Sequence, residues 1–455
     1  MKQGKKETNQ EVLAQINPHA AGVDIGDEEI WVCVPEGIVE KNVRCFKSFT
    51  VEMQEAVRWL LGCGVETVAM EATGVYWVVL HDLMEEAGIE VYVVNGRHVA
   101  NTKGRKSDIV DCQWLQQLHT YGLLKSSFHP GEEIRALRTV VRQREMLIRY
   151  KAAHIQHMQK ALQLMNIKLS LVLSDVTGVT GLTIIRAIVG GERDPHRLAT
   201  YRQSGCKHSE EEIAKALTGN YRAEHLFTLK QAVELHDFYQ EQLKACDEQL
   251  EEMYQALSQK SDVDEPLESL NKRRKRRKNQ LHFELRGYLY QIYGVDLVAV
   301  DGLDTITVQT ILSEIGTDMS KWKTVKHFAA WLGLSPNHRI TGGKIISRRT
   351  PKNNNRVAKA LRLAAQSLAR SQTALGHFYR RIRAKQGPAK ANTATAHKLA
   401  RIIYFMLVRR TPYQPPTLER VIEARQKKKL TRLEKQARKL GLQLTPLTPA
   451  IQEVS

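Results

Sequence analysis

Four carboxylates in the first quarter of the chain could do chemistry together. Asp24 falls in the apolar run GVDIG between Val23 and Ile25, where a lone charge in a core strand is costly unless it is paired or holds a metal. Glu71 closes the strand-like VETVAME, at the carboxyl end where ligand sites collect in α/β sheets. Asp108 and Asp111, in GRKSDIVDCQW, stand three apart at a helix start and so share a face. Hard oxygen ligands of this kind suit Mg2+ or Mn2+. Two such ions roughly 4 Å apart activate the attacking group and stabilise the leaving oxygen of a phosphodiester displacement, the chemistry of nucleases and strand transfer. Taken singly, Asp111 reads more plainly as a charge complementing a helix N-terminus. The weight lies in the four together.

A phosphate brought to such a site would be repelled unless cations held it. Arg97, Lys103, Arg105 and Lys106 precede the Asp108/Asp111 pair, and Lys344, Arg348, Arg349 and Arg356 form a second group downstream. Salt-dependent phosphate contact is the role expected of these clusters, although any one member alone reads equally well as a solvated charge. The charge of the whole chain agrees: it is +19, with a pI near 9.6. It is also unevenly spread. Residues 1–130 carry 12 Lys and Arg against 18 Asp and Glu, and the remainder carries 56 against 31. An acidic first part and a strongly basic second part suit a protein that grips a polyanion with one and uses carboxylates in the other. An anionic membrane would be a rival partner. However, no apolar run approaches the roughly eighteen residues of a span, no amphipathic anchor stands out, and MKQGKKETNQ lacks the apolar segment of a signal peptide. A soluble, intracellular protein is expected. Its six cysteines are scattered without C-x-x-C spacing and read as reduced thiols.

The elements that must position these residues follow from hydrophobic period. AAGVDIG and EIWVCVP read as a hairpin turning at Gly26 and Asp27, VEMQEAVRWLLGCG as a helix, VETVAME as a buried strand, TGVYWVVLHDLMEEAG as a helix and IEVYVVN as a strand. A further helix runs from Ile109 to Gly122, so this part is an α/β layered domain. Long helical stretches from Gly131 to about Ile167 and from Ala223 to about Gln259 suggest a pair, a coiled coil that dimerises, with imperfect heptads. The basic run KRRKRRK follows in a charged linker that is either a solvated connection or a nucleic-acid-gripping arm. Beyond Tyr293 a Gly-containing turn between helical segments offers backbone N–H groups that could hold a phosphate. HFAAWLGLSPNHRITGGKIISRRT then reads as a helix, a loop and a β-hairpin turning at Gly342 and Gly343. Two basic helices and a proline-led basic tail complete the chain.

The strings GVDIG, MEATGVYW, GRKSDIVDCQWLQQLHTYGLLKSSFHP, WLGLSPNHRITGGK, NNNRVAKALRLAAQSL and ATAHKLARIIY closely resemble the DEDD-type transposases of the insertion-sequence 110/1111 family. The resemblance covers about residues 18–175 and 290–410. It implies an α/β RNase H-like N-terminal domain with the tetrad Asp24, Glu71, Asp108 and Asp111, a long helical or coiled-coil middle region, and a mainly α-helical C-terminal transposase domain bearing a nucleophilic hydroxyl. The division expected is a polar tail 1–17, the catalytic domain 18–130, the long-helix region 131–261, a charged linker 262–280, the C-terminal domain 281–411 and a basic tail 412–455. The resemblance further implies Mg2+ or Mn2+, donor and target DNA, a structured noncoding guide RNA (the bridge RNA), and a homo-oligomer, dimer or tetramer, in a cytoplasmic, nucleoid-associated setting. Strands would be exchanged through a covalent hydroxyl-residue–DNA link, with carboxylates and hydroxyl from different protomers.

One departure from the family pattern matters. Where the family has Ser-Gly-Gly-Lys, this chain has Thr341-Gly342-Gly343-Lys344. Threonine keeps a hydroxyl able to attack phosphorus, while its methyl restricts χ1 and crowds an in-line approach. Ser335 and Ser347 are nearby alternative hydroxyls. Two rival readings stay open: a junction-resolving, metal-dependent endonuclease using the same tetrad hydrolytically, and a non-catalytic nucleic-acid-binding protein derived from a transposase.

Overall fold

The computed structural model describes residues 14–99, 107–260, 263, 266–269, 278–351 and 353–445, apart from the side chains of Arg97 and His98. The chain divides into two compact units, the first ending at His129 and the second beginning at Pro130.

The first unit is a mixed α/β layer. Strands β1 (Ala20–Ile25), β2 (Glu29–Cys33) and β3 (Val43–Lys47) lead into helix α1 (Thr50–Gly62). Strand β4 (Thr67–Glu71), helix α2 (Trp77–Glu86), strand β5 (Glu90–Val94), the single turn α3 (Gly96–Val99) and helix α4 (Asp108–Thr120) follow. The sheet order is β3-β2-β1-β4-β5. The β1–β2 and β2–β3 pairs are antiparallel, the expected β1–β2 hairpin among them, and β1–β4 and β4–β5 are parallel. Alternate residues of β1 face opposite sides. Ala21, Val23 and Ile25 enter a core with Met53, Ala56 and Leu60 of α1 and Leu80 and Met84 of α2. On the other face, Ala69 and Val94 pack with Leu115 of α4 and Leu124. Strand β3 has no counterpart in the sequence reading. It buries only Phe46 and carries Arg44 and Lys47, as an edge strand guarded by charge does.

The second unit is mostly helical. Its frame is the pair α5 (Glu132–Leu164) and α10 (Ala223–Ser258). Between them in sequence lie α6 (Leu169–Val172), α7 (Val179–Val189), α8 (Pro195–Ala199) and α9 (Glu210–Leu217), whose apolar faces close a core around Met158, Ile184, Leu198 and Leu229. On α10 the inward positions Leu229, Val233, His236, Leu243, Asp247, Leu250 and Tyr254 keep a four-three spacing, with Gln240 completing it. Polar groups occupy much of that seam. Arg144 pairs with Asp247 and also donates to Asn279 O at 3.1 Å, the His282 N–H donates to Asp247 Oδ2 at 3.1 Å, and Lys151 Nζ donates to Gln240 Oε1 at 2.8 Å. The contacts 144 to 247 and 151 to 240 run in opposite senses, so the helices are antiparallel.

After α11 (Leu285–Tyr293), α12 (Thr305–Ile315) and α13 (Val325–Trp331) comes a two-stranded hairpin, β6 (Arg339–Thr341) and β7 (Lys344–Ser347). Helices α14 (Arg356–Ser367), α15 (Ala374–Gln386), α16 (Pro388–Arg409) and α17 (Leu418–Lys439) complete the unit. Helix α16 is its centre, packed against by α13, α14 and α15, and Tyr404 of α16 donates its hydroxyl to Trp322 O at 2.9 Å. Among the described residues no helix is long and apolar enough to cross a membrane.

The Arg144–Asp247 pair is buried on both sides, with side-chain exposures of 7% and 1%. Removing one partner of such a pair strands the other charge. Asp247→Ala should lower unfolding stability by about 3–5 kcal/mol in urea titrations. A double replacement of both residues by apolar ones of similar volume should recover most of that loss. Equal stability of wild type and Asp247→Ala would show that the pair does not form in solution.

Candidate functional site

Residues on the β1 face opposite α1 and α2 are Ala20, Gly22 and Asp24. A Cβ on Gly22 would lie 2.2 Å from Cys112 O and 2.3 Å from Gln116 N, so the α4 backbone rests directly on β1. Gln116 Nε2 fixes the contact by donating to Ala20 O at 3.3 Å. Two residues along β1, on the same face, stands Asp24. One helical turn back along α4 from Cys112 stands Asp108, with Asp111 beside it. Ser107 caps this helix, its Oγ accepting from Val110 N at 3.4 Å, and both aspartates lie in the first turn, where the helix dipole favours negative charge.

Glu71 reaches the same place through register. Gly22 is level with Ala69 on the parallel neighbour β4, so Asp24 and Glu71, each two residues further, end adjacent strands on one face. Its carboxylate lies against Gly96, where a Cβ would stand 2.0 Å from Glu71 Oε1. The structure thus brings Asp24, Glu71, Asp108 and Asp111 together.

Electrostatics record the proximity. The Asp24 carboxyl is pushed up to about 6, first by burial and then by the charges of Asp108, Asp111 and Glu71. Like charges repel, and no three of the tetrad's ligand atoms come within 4.8 Å of one another. A different group does meet that distance: His81, Asp82 and Glu85 of α2, with His81 Nδ1 at 3.2 Å from Asp82 Oδ1 and 3.5 Å from Glu85 Oε2. It lies on the helix that covers the opposite sheet face, with His81 packed against the rings of Trp77 and His129. In the α2 group His81 is buried, and only Asp82 and Glu85 reach the helix surface. The tetrad is an all-oxygen donor set, half open to water and without an ion-pair partner among the described residues, and its chemistry fits a hard divalent ion.

In the second unit Thr341 ends β6 and is level with Lys344 on β7, with Gly342 and Gly343 between them at φ of 53° and 74°. Positive φ at both central residues is what a two-residue type I′ hairpin requires. Thr341 and Lys344 are exposed, and so are Ile340, Ile345 and Ile346. Ser347 is half-buried, its Oγ accepting from Arg349 N at 3.3 Å, and Ser335 is half-buried before the hairpin. Arg348 and Arg349 are exposed, whereas Arg356 is held by Glu145 and stands 3.8 Å from Glu314. The backbone N–H groups at the start of α12, a phosphate seat on the sequence reading, are capped by Asp304, whose Oδ1 accepts from Thr307 N at 2.9 Å. Lys103, Arg105, Lys106, the Arg97 side chain and residues 272–277 of the basic run lie outside the described residues.

A glycine inside a strand run is the signal of a close backbone approach, and Gly22 in AAGVDIG carries it, whereas Gly96 opens the helical turn α3 and carries no such signal. Gly22→Ala should cost about 1–3 kcal/mol in unfolding stability, because a Cβ there meets backbone that cannot swing aside. An unchanged unfolding midpoint would mean that α4 is not seated on β1.

Asp24 titrates near 6 in the folded chain against 3.8 for the free group. Between those values the folded chain keeps a proton that the unfolded chain has lost, so this group's contribution makes stability fall as pH rises through the window. Asp24→Asn should therefore be more stable than wild type at neutral pH, by roughly 1 kcal/mol after allowing for the water on the open side. The advantage should vanish below the unfolded value. Urea titrations with chelator at the two pH values check this, and no gain at neutral pH would contradict the crowding of the four acids.

With the geometry in place, comparison with known proteins is specific. A DEDD transposase model of the IS110 type matches residues 21–167, which include all four carboxylates. A model of the IS116/IS110/IS902 transposase family matches residues 296–380, which include the Thr341 hairpin. A probable family 20 transposase of Pseudomonas aeruginosa is 28% identical over 124 residues, covering 26% of this chain and 36% of that protein. The chain thus spans about a third of the length of that curated relative. Two independent models, one for each chemically distinctive part, name the same group, and the chain belongs to the IS110/IS116 family of transposases.

Proposed function

We propose that this protein is the transposase of an insertion sequence and a site-specific recombinase, cutting and rejoining DNA by metal-assisted transesterification through a covalent threonine–DNA intermediate. The observation that carries the reading is the gathering of Asp24, Glu71, Asp108 and Asp111 on one face of the β3-β2-β1-β4-β5 sheet. That strand order, three antiparallel strands followed by two parallel ones, supports an RNase H-like catalytic domain over residues 18–130. The four-three seam of α5 and α10 supports a coiled-coil region over 131–261, followed by a charged linker 262–280, a C-terminal transposase domain 281–411 and a basic tail 412–455.

The tetrad holds Mg2+ or Mn2+, which when bound supplies positive charge for the crowded oxygens of the displacement. The chain's own residues do the rest. Asp24, Glu71, Asp108 and Asp111 would hold those ions at the end of β1 and β4, beside the first turn of α4. The Thr341 hydroxyl forms the new bond to phosphorus as a DNA oxygen leaves with the proton, so one phosphoester replaces another and strands can be rejoined without an energy source. Lys344, Arg348 and Arg349, with Arg97, Lys103, Arg105 and Lys106, hold neighbouring phosphates. Arg356 has a share only where the nucleic acid displaces its acidic partners. Exposed Ile340, Ile345 and Ile346 support a hairpin that is covered in an assembled dimer or tetramer, with hydroxyl and carboxylates from different protomers. A bridge RNA pairs with donor and target DNA and supplies the sequence choice. A junction-resolving endonuclease would need the same carboxylates but not this hairpin.

Asp24→Ala, Asp108→Ala and Thr341→Ala should each abolish recombination of a donor–target pair while leaving nucleic-acid binding largely intact. Wild type should leave protein trapped on DNA under denaturing conditions, and Thr341→Ser should retain the adduct. Full activity of Thr341→Ala would move the nucleophile elsewhere, and free nicks without an adduct would favour the hydrolytic enzyme. Sequencing of co-purified RNA tests guidance, which fails if no discrete structured RNA maps beside the gene.

A further inference from the structure

Between Asp318 and Glu419 the sequence contains no acidic residue, while the same stretch carries 21 lysines and arginines. This stretch builds α13 to α16 and the hairpin, so it has no acid of its own to neutralise it. Arg356 borrows Glu145 and Glu314 from α5 and α12, but most of the surplus has no such relief.

The surplus is concentrated at one place. On α15 and α16, the Arg381 guanidinium carbon stands 5.2 Å and Lys398 Nζ 4.7 Å from the centroid of the same Phe378 ring. Arg381 and Lys398 are both half-buried, and Arg401 follows Lys398 by three positions along α16. Helix α17 packs on α15, and its Arg425 adds a fourth cation beside Arg381. Burial and then the charges of Arg381 and Arg401 hold the Lys398 ammonium below its usual range, and burial and then Arg425 do the same to Arg381. Among the described residues no carboxylate pairs with any of the four. A fold does not gather half-buried like charges for stability, because each adds desolvation and repulsion.

Helix α17 extends the cluster. It carries nine lysines and arginines against three glutamates. Arg425, Lys428, Arg432, Lys435 and Lys439 follow a three-four spacing and form one stripe on an almost wholly exposed helix. At 1.5 Å per residue the stripe runs about 21 Å, roughly the rise of six base pairs.

We infer that the face made by α15, α16 and α17 is a second nucleic-acid site, made of residues other than the tetrad and the Thr341 hairpin, which grips the phosphate backbone of duplex DNA without reading its bases. Arg381, Lys398, Arg401 and Arg425 form the seat for one phosphate group, with guanidiniums suited to bidentate contact. The α17 stripe tracks the backbone beyond it. A membrane surface would also suit a basic amphipathic helix, and α17 has an apolar stripe of Leu430, Leu433 and Leu440 opposite its cations. The half-buried seat on α15 and α16 is what favours nucleic acid, since a lipid surface needs no fixed guanidinium pocket. The choice of DNA rests on the proposed function.

The test is fluorescence anisotropy of a labelled duplex of arbitrary sequence with the full-length protein over a range of NaCl. Each lost phosphate contact flattens the slope of log affinity against log salt by about 0.9. Arg381→Gln/Lys398→Gln and the wholly exposed pair Lys428→Gln/Arg432→Gln should each weaken binding about tenfold or more and flatten the slope by about two, equally for unrelated duplexes. Unchanged affinity and slope in the exposed pair, where folding is not at risk, would overturn the α17 track. Unchanged values in the Arg381/Lys398 pair would overturn the seat. A loss confined to structured RNA, or seen only with phosphatidylserine vesicles, would overturn the assignment to DNA. Because no strand is cut in this measurement, a wild-type protein that binds with the full slope yet never recombines would sink the catalytic reading and leave this site standing.

Discussion

The α4 backbone lies on β1 at Gly22, where a Cβ would come within 2.3 Å of both Cys112 O and Gln116 N. Much else about the carboxylate site follows from that contact. It sets the height of α4 above the sheet, and with it how near the first turn of the helix comes to the end of β1. The period of two along a strand puts Asp24 on the face that Gly22 opens, and the parallel register with β4 brings Glu71 alongside. Two secondary-structure periods and one missing side chain suffice to gather four acids from three separate stretches of the sequence. The acids then act on one another, as the raised Asp24 carboxyl shows.

The same logic of unneutralised charge runs through both units with opposite sign. In the first, the four carboxylates crowd with no cation paired to them among the described residues. In the second, Arg381, Lys398, Arg401 and Arg425 crowd without an anion. Each arrangement weakens the isolated fold, and each is carried by an ordinary apolar core. The α1/α2 face of the sheet supports the acids, and α16, ringed by α13, α14 and α15, supports the cations. Where charge serves architecture instead, the chain pairs it closely, as at Arg144–Asp247 and Arg286–Asp296. That contrast separates binding groups from structural ones more sharply than exposure does.

The sequence made the carboxylate site legible because its parts lie at the ends of strongly patterned elements. GVDIG and VETVAME are apolar enough to be strands whatever surrounds them, and an acid inside or at the close of such a run calls for explanation. The edge strand β3 was hidden because Arg44, Cys45 and Lys47 face solvent and only Phe46 is buried. The α5/α10 seam looked imperfect because Arg144, Lys151, His236 and Asp247 occupy positions where apolar residues mark a heptad, and the pairing of Arg144 with Asp247 and of Lys151 with Gln240 across the helices shows that the seam runs through them. The cation cluster was beyond reach for a related reason. Its members come from three helices, and nothing in their spacing reveals that Arg381 and Lys398 share the ring of Phe378.

Thr341 is where local physics bears most directly on chemistry. It ends a three-residue strand beside a turn that needs two positive φ values, and its neighbours in the hairpin are exposed. A serine there would have three open χ1 wells and little nearby to choose among them. A threonine at a strand position has fewer, because its branched Cβ is confined by its own backbone. The methyl that crowds an approach to phosphorus therefore also narrows where the hydroxyl can point. In a hairpin with little packing of its own, that intrinsic stiffness is what would aim the hydroxyl in the role proposed for Thr341.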